Sequence, residues 1–575
     1  MKRSTTATGL GLALVLATWV LSAGGCASIL GVEEQTMSGA DGGEAGVATD
    51  ATTGDGTASE GSGSSSGGKV EASAAADAGD AGKGFTIAAP ASLMLQQGAS
   101  APVTVTVARG GGFTDAIAVT VSGLPAGASA SPLTITSDTT SGPLTIAVGS
   151  ATPQGVSHLV IDGVAASGAV SASAQMDLVV RGPPGSLDSL YGSGGVVSGF
   201  LTTTNFGTFE AATLDANDDV LIAIDSALGE NAVSVVRITP AGVLDSTFGT
   251  AGIATPPNTG VFYYSMFPVP NGDVELCGFG GGNPWTDEYM RLMPTGAVDT
   301  SFSPDGGVGN SVLRTDGRPD VFTLDPTGRV VETGFTGNAQ GFLLTRRTAA
   351  GPFDTTFDAG FAPTIPGQGG PTVIQPDGHI VASWLPDTPP YGMGLVRTDT
   401  SGNLDPTFGT NGVVPGTGPG DPSALILQPD GKLVTGGVTF TSAGLENPGG
   451  FTARYLSNGT IDVTYGSGGT AQVAAGNVFA MVQQSDQSVV AVGYPWPVGD
   501  AGAPTNDLWV ERLTAGGVTD PSFGSGGTVT TPVGGAGEIS MGEFVGLQSD
   551  GRIVVVVATL KSQGVYDFAV ARYWP

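Results

Sequence analysis

The sequence predicts an all-β protein whose C-terminal two thirds is a single sheet unit written repeatedly. Three observations lead there. The first is a signature, Arg-x4-Gly-x2-Asp-x2-aromatic, present six times in full: Arg237/Gly242/Asp245/Phe248, Arg291/Gly296/Asp299/Phe302, Arg346/Gly351/Asp354/Phe357, Arg397/Gly402/Asp405/Phe408, Arg454/Gly459/Asp462/Tyr465 and Arg512/Gly517/Asp520/Phe523. A seventh copy is split between the ends of the array, with Asp188 and Tyr191 at its start and Arg572 at its finish. The second is the regular spacing of the signature aspartates, between 51 and 58 residues. The third is a tight-turn signal between apolar runs, clearest at Gln375-Pro376-Asp377-Gly378, Gln428-Pro429-Asp430-Gly431 and Gln548-Ser549-Asp550-Gly551. Asp-Gly between strands supplies the positive φ that a hairpin needs.

Self-similarity at a fixed period marks a repeat architecture. Each unit reads as an aromatic-Gly turn, a first strand, a second strand, a tight turn, a third strand, a variable loop and a fourth strand ending at Arg. Four strands per roughly 55 residues is a propeller blade, and seven units predict a seven-bladed β-propeller over 186–575. An open disc of sheets would expose strand edges at its seam. The strand after Asp188 is therefore expected to complete the sheet formed by the C-terminal strand around Phe568–Tyr573.

The elements ahead of the array follow in order. Lys2 and Arg3 precede an apolar run from Leu10 to Leu21, too short to span a bilayer, and Ser22-Ala23-Gly24-Gly25-Cys26 follows it. This resembles a bacterial lipoprotein signal peptide over 1–25, with Ala23 where that family usually has Leu. The resemblance implies lipidation at Cys26 and attachment to a membrane of the cell envelope, the outer membrane or cell surface. Multiple acyl chains hold firmly where one does not. An ordinary secretory peptide is the alternative. Residues 26–83 carry that cysteine and a stretch of Gly, Ser, Ala, Thr, Asp and Glu with almost no large apolar side chain. Such a stretch cannot offset the entropy of ordering and is expected to be a disordered tether with a mean span of about 40 Å.

Over 84–182, VTVTVAR, AIAVTVSGL, PLTITS and DLVVRG alternate with period two between Gly/Pro turns, the pattern of an antiparallel sandwich. The segment GFTDAIAVTVSGLPAGASASP resembles bacterial immunoglobulin-like domains, which implies a spacer or adhesion module. His158 stands beside no other ligand candidate in the sequence. Within the array, LDPTFGTNGVV, LQPDGKLVTGG and FTARYLSNGTID resemble the delta-60 repeat family of bacterial secreted and surface proteins. That resemblance implies a propeller-like fold and carries no catalytic residue. Cys277, in the alternating run VELCGF, reads as a small buried hydrophobe.

Charge narrows the partners. Lys plus Arg number 20 and the net charge is -31, so no basic cluster is available for a phosphate backbone and nucleic acid is excluded as an expected partner. The recurring Arg/Asp pairs read as architecture, because one active site would break the symmetry. A ring of arginines holding an anion on the axis is the minority reading. The loops before the strands that end at Arg differ most between units. They hold Trp285, Asp287 and Glu288, then Asp387 and Tyr391, then Glu446, then Trp496, Asp500 and Asp507. If these loops share a rim, aromatic rings beside carboxylates suit glycan or protein recognition. Long Pro-stiffened surface loops without a ligand are the alternative.

No zinc-ligand cluster, metalloprotease helix motif, phosphate loop or nucleophile elbow occurs. No metal and no cofactor is expected. The sequence thus points to a monomeric, lipid-anchored binding or scaffolding module for a protein or polysaccharide. The alternative is an enzyme of lyase or glycosidase type using carboxylates on the loop rim.

Overall fold

The computed structural model describes residues 83–575 except 201–205, 227–232, 258–260, 281–284, 303–311, 315–317, 337–340, 358–364, 388–390, 440–448, 496–506, 536 and 562–564. Two compact units meet in sequence between Val180 and Arg181. Every described element in both is a strand, and every ladder is antiparallel.

The N-terminal unit has a four-stranded sheet, Gly84–Ala88, Ser100–Gly110, Ser141–Val148 and Ala128–Ala130, and a five-stranded one. The second runs Ser92–Gln96, Ser171–Arg181, Gly155–Ala165, Ile117–Ser122 and Leu133–Ile135. Alternation aims one face of each strand inward: in Ser100–Gly110, Val103, Val105 and Val107 are buried and the residues between them are not. Both sheets feed one core, with Val105 and Leu144 from the first and Ile117, Leu159 and Leu178 from the second all fully buried. Each such side chain contributes about 1.5–3 kcal/mol relative to exposure. His158 does have a neighbour: it lies opposite Asp177 across the ladder, and the two side chains meet at 2.7 Å on the surface.

The C-terminal unit holds seven small sheets, six of four strands and one, the third, of three among the described residues. Their first strands are Phe206–Leu214, Val261–Pro268, Arg318–Leu324, Gln368–Ile374, Gly420–Leu427, Gly476–Gln483 and Ile539–Leu547. Each first strand contacts the first strand of the next sheet, and Ile539–Leu547 contacts Phe206–Leu214, so the series returns to its beginning. A separate buried apolar cluster lies at each of the seven junctions. Leu221 with Leu276 joins the first sheet to the second, and Val220 and Ile222 with Val554 join the first to the seventh. Within one strand, odd and even positions therefore serve two different neighbours. That is why these strands read as nearly continuous apolar runs rather than alternating ones. Cys277 is fully buried, packed with Phe267 and Phe322 at the junction of the second and third sheets.

The strand phase differs from the sequence expectation. The strand ending at the signature Arg is the third of its sheet, not the fourth. In the first sheet the order is Phe206–Leu214, Val220–Ser226, Val233–Ile238 and Ile253–Ala254, and Arg237 stands near the end of the third strand. The signature turn folds the chain back along the Arg strand. The residues after the aromatic-Gly step then pair there (Val235 with Ala254, Val236 with Ile253) instead of starting a new sheet.

The same phase produces the expected clasp. Val196–Ser198 pairs with Tyr566–Tyr573, with Val196 opposite Ala571 and Ser198 opposite Ala569, so a segment from the start of the array supplies the fourth strand of the last sheet. A chain lacking 186–198 loses this strand and Asp188 together, leaving the Arg572 guanidinium buried without its carboxylate. Urea unfolding should show a loss of about 3–5 kcal/mol or more. An unchanged midpoint would mean that the clasp does not bear on stability.

Candidate functional site

The signature builds a latch, and each residue type has a part in it. After Ile238 the chain turns tightly: Thr239 N–H donates to the Val243 carbonyl and Gly242 N–H to that of Thr239, with Gly242 at φ 75°. The return strand brings Asp245 N–H to the Arg237 carbonyl at 3.0 Å. Asp245 Oδ1 then accepts from both the N–H and the hydroxyl of Thr247, which fixes the following turn. Its other oxygen accepts from Arg237 Nε at 2.8 Å. Phe248 lies under the guanidinium, 4.5 Å from ring centroid to Cζ. Every signature Arg sits over its aromatic in this way, at 4.0–4.7 Å.

One further bond leaves the unit. Arg346 Nη1 donates to the Thr400 carbonyl, Arg397 Nη1 to that of Ser457 and Arg454 Nη1 to that of Ala515. In each case the acceptor lies in the signature turn of the next unit. Arg572 reaches the Pro240 carbonyl in the first full turn and so links the last unit to the first. The backbone adds a parallel contact. Gly409 N–H donates to the Asn458 carbonyl, Gly466 N–H to that of Gly516 and Gly192 N–H to that of Ala241. The signature Gly leaves room for this approach, since a Cβ on Gly459 would come within 2.9 Å of the Phe408 ring. In the last link Pro183-Pro184-Gly185 stands in for the turn, with Gly524 N–H donating to the Pro184 carbonyl.

The Arg-Asp pairs form at six of seven positions, with Nε to Oδ2 at 2.8–2.9 Å for Arg237, Arg346, Arg397, Arg454, Arg512 and Arg572. The exception is a correction to the sequence expectation. Arg291 bonds Glu275 at 2.8 Å, because Glu275 lies directly across the ladder from it, while Asp299 is left with Ser301. Hydrogen bonds from the Ser or Thr two residues on hold the Asp245, Asp299 and Asp462 carboxyls below the usual range and bring Asp354 to about 2. The guanidiniums meet carboxylates.

The variable segments join the second strand to the third in every sheet, at the opposite end of the strands from the latch. Tyr391 is 54% exposed there. Asp387 is half-buried, and burial pushes its carboxyl up. Asp507 is half-buried just before the strand Leu508–Leu513. Trp285, Asp287 and Glu288 belong to the strand Trp285–Leu292, not to a loop, with Trp285 paired to Arg314. Glu288 is only 9% exposed and is no rim residue. Glu446, Trp496 and Asp500 lie outside the described residues, as does Cys26.

Sequence reasoning missed the charged groups inside the unit. Glu332 and Arg347 are fully buried and bonded at 2.7 Å, with Thr345 and Tyr289 hydroxyls also donating to Glu332. The signal was there: a second Arg beside Arg346, and a Glu inside the apolar strand VVETGF. The inner strands carry another set. Each first strand has a register irregularity at the same place, five residues before the tight turn begins, and in five of the seven the displaced residue is charged or aromatic. These are Glu210, Tyr264, Asp320, Phe479 and Glu543. Burial raises Glu210 and Glu543 to about 8 each. Glu210 accepts from the Thr208 hydroxyl, and Asp320 accepts from the Gln368 amide.

Residues 428–465 and 548–575 match a domain of unknown function described as a beta-propeller (DUF5122). Both stretches run from a tight turn through the second and third strands to a signature Arg. No curated protein matches the chain.

The latch makes a stability prediction. Arg454→Ala removes one side of a buried pair and should cost about 3–5 kcal/mol in urea unfolding. Thr464→Ala, which removes only a neutral bond, should cost about 0.5–1.5. A loss below about 1 kcal/mol for Arg454→Ala would contradict the latch.

Proposed function

We propose that the chain is an exported, lipid-anchored envelope protein in which a tether carries an immunoglobulin-like sandwich and a seven-bladed delta-60-type β-propeller. The propeller serves as a binding or scaffolding module for a protein or polysaccharide. The observation that carries this reading is the division of labour along each sheet. One end is committed to the repeated latch, whereas the other bears connections that differ in every unit. A rim of unlike loops on a rigid repeated frame is how a scaffold acquires a recognition face, since loops vary freely where the frame does not. Tyr391, exposed on that rim, is the kind of flat anchor that such faces use.

The test uses the soluble 84–575 chain on a glycan array and as bait in pull-downs. Tyr391→Ala and Trp496→Ala should each weaken the captured interaction by more than about 1 kcal/mol, roughly fivefold. If both leave every interaction unchanged, the rim is not the recognition face. Turnover of a captured polysaccharide, abolished by replacing rim carboxylates such as Asp387, would favour an enzyme instead.

A further inference from the structure

Glu543 has a setting that the fold does not require. It is the displaced residue in Ile539–Leu547, and its neighbours do the packing. Gly542 abuts Val492 and Gly493 of the sixth sheet, and Phe544 enters the apolar cluster shared with the first. Among the described residues the Glu543 side chain has no hydrogen-bond or ion-pair partner, yet the residue is only 8% exposed. Leaving a carboxyl in this state is expensive, and a structural role would be met more cheaply by an apolar residue. By contrast, Glu210, in the same position on the next sheet, has the Thr208 hydroxyl.

Aromatic rings lie near the group: Tyr494 and Tyr566 both pack against the apolar cluster that Phe544 enters. Tyr566, on the third strand of the same sheet, lies close enough for Glu543 to make its phenol harder to ionise, and Tyr494 of the sixth sheet is coupled to Tyr566 in the same way. Phe479, the displaced residue of the sixth sheet, stacks with Tyr494 at 6.3 Å and 29°. All three rings are half-buried and so border solvent. The nearby cations are engaged elsewhere. Arg552 and Arg572 stand at the latch end with Asp188, and Lys561 bonds Asp567. The charged group on the first sheet's facing strand is the acidic Glu210.

We propose that Glu543, Phe479, Tyr494 and Tyr566 form a binding site for a small organic cation, an alkylammonium group. A carboxylate among aromatic faces attracts a positive charge through both the charge and the ring quadrupoles, and it repels anions. The site is separate from the loop rim and does not depend on the reading given for it.

The chemistry has a proton signature. With the site empty, burial holds the Glu543 carboxyl protonated up to about pH 8. Binding the cation ionises it: the O–H bond breaks, the proton goes to solvent, and the carboxylate pairs with the ammonium. Affinity therefore rises about tenfold per pH unit below that point and levels off above it. Glu210, Tyr494 and Tyr566 face the same region. Glu210 is also raised to about 8 and is the group whose titration must be separated from that of Glu543.

Isothermal calorimetry of the mature full-length protein with tetramethylammonium chloride, against sodium chloride at equal ionic strength, tests this. Between pH 6 and 9 the expected result is saturable 1:1 binding that strengthens about tenfold from pH 6 to 7. At pH 6 close to one proton should be released per ligand, falling toward none by pH 9, counted from buffers of different ionisation heat. Glu543→Gln should weaken binding at least tenfold and flatten the pH profile, whereas Glu210→Gln should leave the profile in place. Phe479→Leu, which keeps the carboxyl and an apolar volume, should weaken binding severalfold without changing the profile. No saturable heat, or equal binding by Glu543→Gln with an unchanged melting transition, would overturn the proposal.

Discussion

The reach of one guanidinium across a sheet junction is the interaction on which the C-terminal unit depends. A signature Arg has five N–H donors in a planar fork, and the fold uses them in separate directions. Nε and Nη2 of Arg397 hold Asp405 within its own unit, Nη2 also reaches the Thr407 hydroxyl, and Nη1 grips the Ser457 carbonyl in the next unit. The flat face rests on Phe408. Lysine could not substitute, since a point charge on a flexible stem cannot divide its bonds this way. Burial raises the stakes, because a guanidinium with unmet donors or an abandoned carboxylate costs several kcal/mol. The aromatic beneath and the hydroxyl beside it are what hold the fork in a single orientation.

That geometry turns a string of sheets into a cooperative body. Each sheet shares an apolar cluster with both neighbours, and the cluster between the seventh and first sheets has the same character as the rest. In the first, second, fourth, fifth and sixth sheets the short fourth strand is contributed by the chain after its own latch. The seventh sheet takes Val196–Ser198 as its fourth strand instead. Arg572 and Asp188, the two halves of the divided signature, are both almost fully buried where the ends meet. A linear repeat array frays from its ends, whereas a closed one has no end to fray.

Much of this was legible in the sequence, and what was not has a physical reason. The recurrence of Arg, Gly, Asp and an aromatic at fixed spacing located the latch, because a hydrogen-bonded hairpin permits little variation in length. The strand phase was hidden: whether Ile253–Ala254 joins the sheet before or after it is decided by tertiary pairing, not by propensity. The replacement of Asp299 by Glu275 as the partner of Arg291 needed the cross-strand register, which depends on that phase. Glu288 read as a loop carboxylate because aromatic and Pro residues precede it, but the ladder extends as far as Trp285 and takes it into the interior. Trp384 and Trp509 illustrate the converse, being large rings spent on the junctions between sheets. Buried carboxyls such as Glu332 and Glu543 left only a faint trace, a single acid in an apolar strand.

Closure of the series through the Arg572–Asp188 latch is the claim from which the rest follows, and native-state hydrogen exchange tests it most directly. If the account holds, the amides of Val236 in the first sheet, Val434 in the fifth and Val570 in the seventh exchange with the same free energy, that of global unfolding. Protection falling progressively from the fifth sheet toward the first and seventh would show an open array and contradict it.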